Sequence, residues 1–175
     1  MAKSKTTDTC CLTLPLKLEK WQEDRLSKRF EIARQIYNTL VRAELKKLRQ
    51  VEQSAEYRQI QEKLREMYQK DATKTKEFKE MKKRRRDFLE EAGFNRNGFK
   101  SAMKNYYKHF KENIGSNIAC HEIAFRVWLA FDKKLYGNGE KVHYKSPGDI
   151  QSLKGYSVTG KSGGKEIMFR GSYVE

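Results

Sequence analysis

Proline is nearly absent from this chain: two residues in 175, Pro15 and Pro147, so almost nothing interrupts long helices. Cysteine is scarce too. Cys10, Cys11 and Cys120 are odd in number and show no framework spacing, which argues against a disulfide-stapled secreted fold. Adjacent Cys10 and Cys11 would point to opposite faces of a strand and so make poor joint ligands for one metal. The three histidines, His109, His121 and His143, fall in different segments, and no H-E-x-x-H or C-x-x-C spacing occurs. No carboxylate pair is isolated in an apolar setting that would tune it for acid–base work. The expectation is no catalytic residue, no metal and no cofactor. Long apolar runs are missing as well, since none approaches the roughly 20 residues of a membrane span. Met1 to Thr9 carries lysines with no apolar h-region behind it, because Pro15, Lys17 and Glu19 interrupt the next segment. A cytoplasmic protein with no membrane partner is expected.

What the chain has in excess is positive charge. Lysine and arginine number 38 against 23 acidic residues, a formal net charge of +15. A folded domain so charged needs counter-charge, and a polyphosphate backbone is its commonest partner. Aromatic residues at 11% are too many for a disordered polyelectrolyte. The plainer alternative is that the lysines only keep the protein dispersed.

Periodicity divides the chain into three zones. Residues 1–18 form a first β segment, with Leu12, Leu14, Leu16 and Leu18 sharing one side and Pro15 marking an edge or a bulge. Residues 19–136 are helical. Leu26, Phe30, Ala33, Tyr37, Leu40, Val41, Leu45 and Leu48 make one stripe, and Tyr57, Ile60, Leu64 and Met67 a second after a break near Ser54. Phe78, Met81, Phe88 and Leu89 come next, with Gly93 placed as a cap. Asn97 is read as the N-cap of a helix carrying Phe99, Met103, Tyr106, Phe110 and Ile114. Gly115 and Ser116 separate it from a last helix through Ile123, Val127, Trp128, Ala130, Phe131 and Leu135, which Gly137 stops. In residues 137–175 the period changes: Val142 and Tyr144 alternate with Lys141, His143 and Lys145, Pro147-Gly148 turns the chain, and strands lie near Tyr156 and at Ile167 and Phe169. The expected fold class is α+β, a bundle of about five helices inserted into a small, incomplete antiparallel β-barrel.

Gly155-Tyr-Ser-Val-Thr-Gly160-Lys161-Ser162 matches the phosphate-binding G-x-x-x-x-G-K-[ST] pattern in its letters. That loop needs a helix N-terminus behind it to aim N–H groups at phosphates. Gly163-Gly164 and an alternating strand stand there instead, so a basic hairpin loop is the better reading. Met81 is followed by Lys82, Lys83, Arg84, Arg85 and Arg86, the densest positive run; on a helix these spread round the circumference, and several can face a phosphate backbone. The competing reading is a solvated face balanced by Glu77, Glu80, Asp87, Glu90 and Glu91. Lys100, Lys104, Lys108 and Lys111 recur at helical spacing on a side away from Phe99, Met103 and Phe110, with Tyr107 among them as a candidate for base stacking.

The order of these segments resembles a known family. Cys11-Leu-Thr-Leu-Pro-Leu-Lys-Leu-Glu-Lys20 with Phe30-Glu-Ile-Ala-Arg-Gln-Ile-Tyr-Asn38 is similar to the N-terminus of TnpB (OrfB) proteins of insertion sequences, relatives of compact type V CRISPR effectors. Ile118-Ala-Cys-His-Glu-Ile-Ala-Phe-Arg-Val-Trp-Leu-Ala-Phe-Asp-Lys133 resembles that family's helix ending in an Ala-Phe pair, here Ala130 and Phe131, and Lys141-Val-His-Tyr-Lys145 the strands beyond it. The resemblance implies a split wedge domain with an inserted recognition lobe. It implies guide or scaffold RNA, the guide–target heteroduplex and double-stranded target DNA as partners, with sequence reading delegated to base pairing. By the same resemblance, Tyr37, Asn38, Asn117 and His121 fall in regions that approach the short motif beside the target; the family commonly has a Gln near His121, and this chain departs from it there. The family's RuvC nuclease domain and zinc ribbon should follow the wedge. A chain stopping at Glu175 is expected to be a fragment, a split subunit or a decayed gene, with the RuvC portion as a further partner and no cutting of its own. A helical protein-interaction module is the alternative, and a nucleotide binder using Gly155 to Ser162 ranks last.

Overall fold

The computed structural model describes the backbone of residues 14–15, 17–114, 117–137, 139–156, 166–170 and 173–174; the side chains of Leu14, Lys111, Asn117, Ile118 and everything after Leu153 lie outside the description. After a two-residue strand β1 (Leu14–Pro15), helix α1 (Lys20–Gln53) runs for 34 residues, about 50 Å at the usual helical rise. Neither proline nor glycine occurs within it. The Glu19 backbone N–H donates to Gln22 Oε1 at 3.0 Å, the reciprocal half of a capping box at its start. One stripe of the helix, Ala33, Ile36, Tyr37, Leu40, Val41 and Leu48, is buried.

Ser54 both ends α1 and starts α2 (Ala55–Gln69), because its hydroxyl accepts from the Tyr57 N–H at 3.3 Å. Thr75 starts α3 (Lys76–Glu91) in the same way, accepting from Phe78 N–H at 3.2 Å. These two helices close on a small cluster of their own, Ile60, Leu64 and Phe78. Gly93 follows α3 with φ +85°, a left-handed conformation that costs glycine least. Helix α4 (Arg96–Ile114) then begins earlier than the sequence reading placed it: Asn95 Oδ1 accepts from Gly98 N–H at 2.8 Å, so Asn95 caps and Asn97 is already helical. Gly115 and Ser116 lie outside the described residues.

Helix α5 (Asn117–Tyr136) completes the main core with α1 and α4. Its centre is aromatic. Phe131 stacks on Phe94 at 6.0 Å and meets Phe99 at 5.1 Å, and Trp128 lies 5.7 Å from Phe99. Cys120 is fully buried here, and burial pushes its thiol up to about 11, an unreactive structural position.

The strands β2 (Ser152–Tyr156), β3 (Glu166–Arg170) and β4 (Tyr173–Val174) pair antiparallel with one another and with β1 in the order β1-β4-β3-β2. This corrects the expected fold class. The molecule is mostly helical; among the described residues β1 and β2 are the two edges of the sheet and do not pair with each other, two of the four strands span two residues each, and no β-barrel is present. The physical reason lies in residues 139–153. Val142, Ile150 and Leu153 are buried in the same core as α1, α4 and α5, so these apolar groups cover helices rather than the inside of a barrel. Nor is 141–145 a strand: Val142 is buried and Tyr144 is 49% exposed in an unpaired segment. Pro147 and Gly148 do turn the chain. Asp149 N–H reaches Ser146 O at 3.1 Å and Gly148 has φ +86°, a type II turn with each residue where its dihedrals suit. At the other end, β1 covers only Leu14–Pro15 of the alternating stretch Cys10 to Leu18, and residues 1–13 and 16 lie outside the described ones.

One buried charge has no adequate partner. Glu44 is 7% exposed, its Oε2 accepts no hydrogen bond, and Lys47 Nζ stands 3.8 Å away. Burial raises its carboxyl above the usual range. The folded state therefore binds the proton more tightly than the unfolded chain, and stability falls as pH rises above the unfolded value and through the folded one. Glu44→Met is expected to stabilise the fold by about 1–3 kcal/mol at pH 7. That gain should shrink on acidification toward pH 4.5, where the wild-type carboxyl takes up its proton. Urea denaturation at both pH values measures it, and a variant less stable at pH 7 would show that Glu44 has a favourable partner.

Candidate nucleic-acid interface

The basic run on α3 is largely engaged within the fold. Arg84 Nη2 lies 3.2 Å from Glu56 on α2, and Arg86 Nε 2.9 Å from Glu90 with its guanidinium 5.5 Å above the Tyr136 ring. Arg85 is partly buried and donates from Nη2 to Leu135 O at 2.8 Å. That carbonyl is one of the last four of α5, which have no partner inside the helix. Arg85 therefore ties α3 to the end of α5. Lys82 lies over the Phe78 ring at 5.1 Å, and Lys82 and Lys83 stay exposed without a carboxylate partner among the described residues.

Helix α4 is different. Lys100, Lys104 and Lys108 are exposed, four residues apart, and no described carboxylate lies within 4 Å of any of them. Arg96 extends this row by one turn toward the helix start, also without a carboxylate, with its guanidinium 4.7 Å over the Phe125 ring of α5. Sequence reading missed Arg96, although the same four-residue spacing backward from Lys100 reaches it. The four charges span roughly 18 Å along the helix. His121 on α5 faces this row: burial and then the positive charges of Lys100 and Lys104 hold its imidazole below the usual histidine range. The fold thus brings together His121 and the lysines, residues that belonged to separate expectations. Tyr107 is half-buried and packs against the main core, which takes up part of the ring offered for stacking. The side chains of Lys111 and Asn117 lie outside the described residues.

Tyr37 and Asn38 lie elsewhere. Asn38 clamps the backbone of Lys145, donating from Nδ2 to its carbonyl at 2.9 Å and accepting its N–H at 2.8 Å. Arg34 adds a bond to the same carbonyl at 3.1 Å, and its hydrogen bonds to Glu31 hold that carboxyl down to about 2. Both ends of the Asn38 amide are thereby committed to holding residues 139–150 against α1. Tyr37 is buried, and it forms part of the wall of an open cleft of about 870 Å³ between α1, α5 and that segment.

The phosphate-loop letters have little structural support. Gly155 and Tyr156 close β2, and Tyr156 pairs with Glu166 of the antiparallel neighbour β3, whereas a phosphate loop leads from a strand into a helix. Residues 157–165 lie outside the described ones. Among the described residues no group of three His, Cys, Asp or Glu side chains converges as a metal site requires, and no helix is long and apolar enough to cross a membrane. Comparison with protein-family models, curated proteins and solved structures finds no match.

Proposed function

We propose that this chain is a non-catalytic nucleic-acid-binding module that holds structured RNA on the α4 face. The observation that carries this reading is the row Arg96, Lys100, Lys104 and Lys108, four exposed cations repeating every four residues along one helix with no described carboxylate within 4 Å of any of them. A row of like charges on one helix raises the field that a phosphate backbone relieves, and Lys100 and Lys104 add to burial in holding the His121 imidazole below its usual range. On the resemblance of Cys11 to Lys20, Phe30 to Asn38 and Ile118 to Lys133, we further propose that the module serves a TnpB-like RNA-guided nuclease in the cytoplasm. In that setting it would hold guide RNA and target DNA without cutting either.

Purification from its native host at low salt tests the reading. The protein is expected to carry RNA that nuclease treatment removes, and sequencing should return one structured species. Bulk ribosomal RNA would remove the guide-RNA assignment. A stoichiometric protein partner that survives nuclease treatment, with no RNA, would overturn the nucleic-acid reading in favour of a protein-interaction module.

A further inference from the structure

The cleft beside Tyr37 has two chemically distinct sides. Leu129, 42% exposed, with Ala130, Ile150 and the Tyr37 ring, makes an apolar wall. Arg126, Lys133, Lys141 and Lys145 supply cations round it, against Glu140 and Asp149. Among the described residues Lys133, Lys141 and Lys145 have no carboxylate within 4 Å. Arg126 is oriented rather than loose: Nε and Nη2 donate to Glu122 at 3.0 and 2.6 Å, and Nη2 also to Ser152 Oγ at 3.0 Å, while Nη1 has no hydrogen-bond partner among the described residues. Asp149 is partly neutralised by the Ser146 N–H, which it accepts at 2.7 Å, and by nearby Arg34. The lining by Lys141, His143 and Lys145 follows from the alternation of residues 141–145, with Val142 buried on the other side.

From this we infer that the cleft is a second, separate site that takes one splayed nucleotide of a single-stranded nucleic acid, with its phosphate among Arg126, Lys133 and Lys141 and its base against Leu129, Ala130 and Ile150. An exposed leucine beside unpaired cations suits a ligand with a flat apolar part and an anionic part. The volume lies within the range of small-molecule sites and suits an unpaired nucleotide rather than a duplex. Lys133 lies twelve residues along α5 from His121, roughly 18 Å, so one RNA can rest its structured part on the α4 row and its single-stranded end in the cleft. The inference rests on the nucleic-acid reading above and names the form of nucleic acid that this second site takes.

Fluorescence anisotropy with a labelled five-nucleotide single-stranded RNA tests it, using a Lys133→Glu/Lys141→Glu variant whose fold is checked by circular dichroism. The double variant should bind the five-mer at least about tenfold more weakly, while its affinity for a blunt RNA duplex changes less than about threefold. A Leu129→Glu variant should likewise lose the five-mer, because the wall then repels it. Unchanged five-mer affinity in both folded variants would overturn the cleft assignment alone. Displacement of the five-mer by inorganic phosphate or pentaglutamate as readily as by unlabelled five-mer would overturn it too, pointing to a bare anion site or an acidic peptide site. Failure of the wild type to bind either RNA would sink the nucleic-acid reading itself.

Discussion

Replacing Arg96, Lys100, Lys104 and Lys108 together by glutamine should flatten the salt dependence of RNA binding, lowering the slope of log K against log salt by roughly 3. Each neutralised phosphate releases about 0.7 to 0.9 of a counterion, and four cations leave the interface at once. The same arithmetic predicts a loss of roughly a hundredfold or more at about 0.1 M salt, fading as salt approaches about 1 M. All four side chains are exposed and none holds a described carboxylate, so the fold should survive the change. Titrations at several salt concentrations decide the point, and an unaltered slope would remove α4 from the interface. The matching replacement of Arg84, Arg85 and Arg86 should behave differently. Arg84 and Arg85 bridge α3 to α2 and to the end of α5, and Arg86 pairs with Glu90 along α3 itself, so their loss should lower the melting temperature before it touches the slope.

Phe131→Ala is expected to cost about 3–5 kcal/mol of stability, the range for deleting a fully buried aromatic. Phe131 meets both Phe94, from the turn before α4, and Phe99 on α4, so one truncation removes contacts from the centre of the core. At about 2–4 °C per kcal/mol for a chain of this size, the melting temperature should fall by about 6–20 °C. Phe131→Leu should cost less because more of the volume is kept. Thermal unfolding followed by circular dichroism measures both. A loss below about 1 kcal/mol for Phe131→Ala would mean that the core closes over the gap. The Ala130-Phe131 pair thus has a packing role in this core, Phe131 at its centre and Ala130 partly buried against it.

The helices are legible in the sequence because their signals are local. Helical spacing from Ala33 to Leu48 marks the buried stripe of α1, and Ser54, with its short polar side chain, marks the break before α2. The lysine spacing on α4 is legible for the same reason. The cap at Asn95 is not, because Asn97 competes for it and only the backbone direction chooses between them. The barrel is a misreading because alternation tells which residues share a side but not what they cover. Val142 alternates as a strand residue would and is buried against helices.

The sequence by itself determined the excess of charge, the helical spacing of its apolar residues and the four-residue row of cations on α4, since each depends only on residue type and order. Tertiary structure alone decided which of those cations are free. Arg84, Arg85 and Arg86 find partners 28, 50 and 4 residues away, and no local pattern announces the first two. It also decided that Asn38 holds Lys145 across 107 residues, and that the segment so held makes a cleft with α1 and α5. Long-range pairing is set by how helices pack, and packing is a property of surfaces that come together only when the whole chain folds.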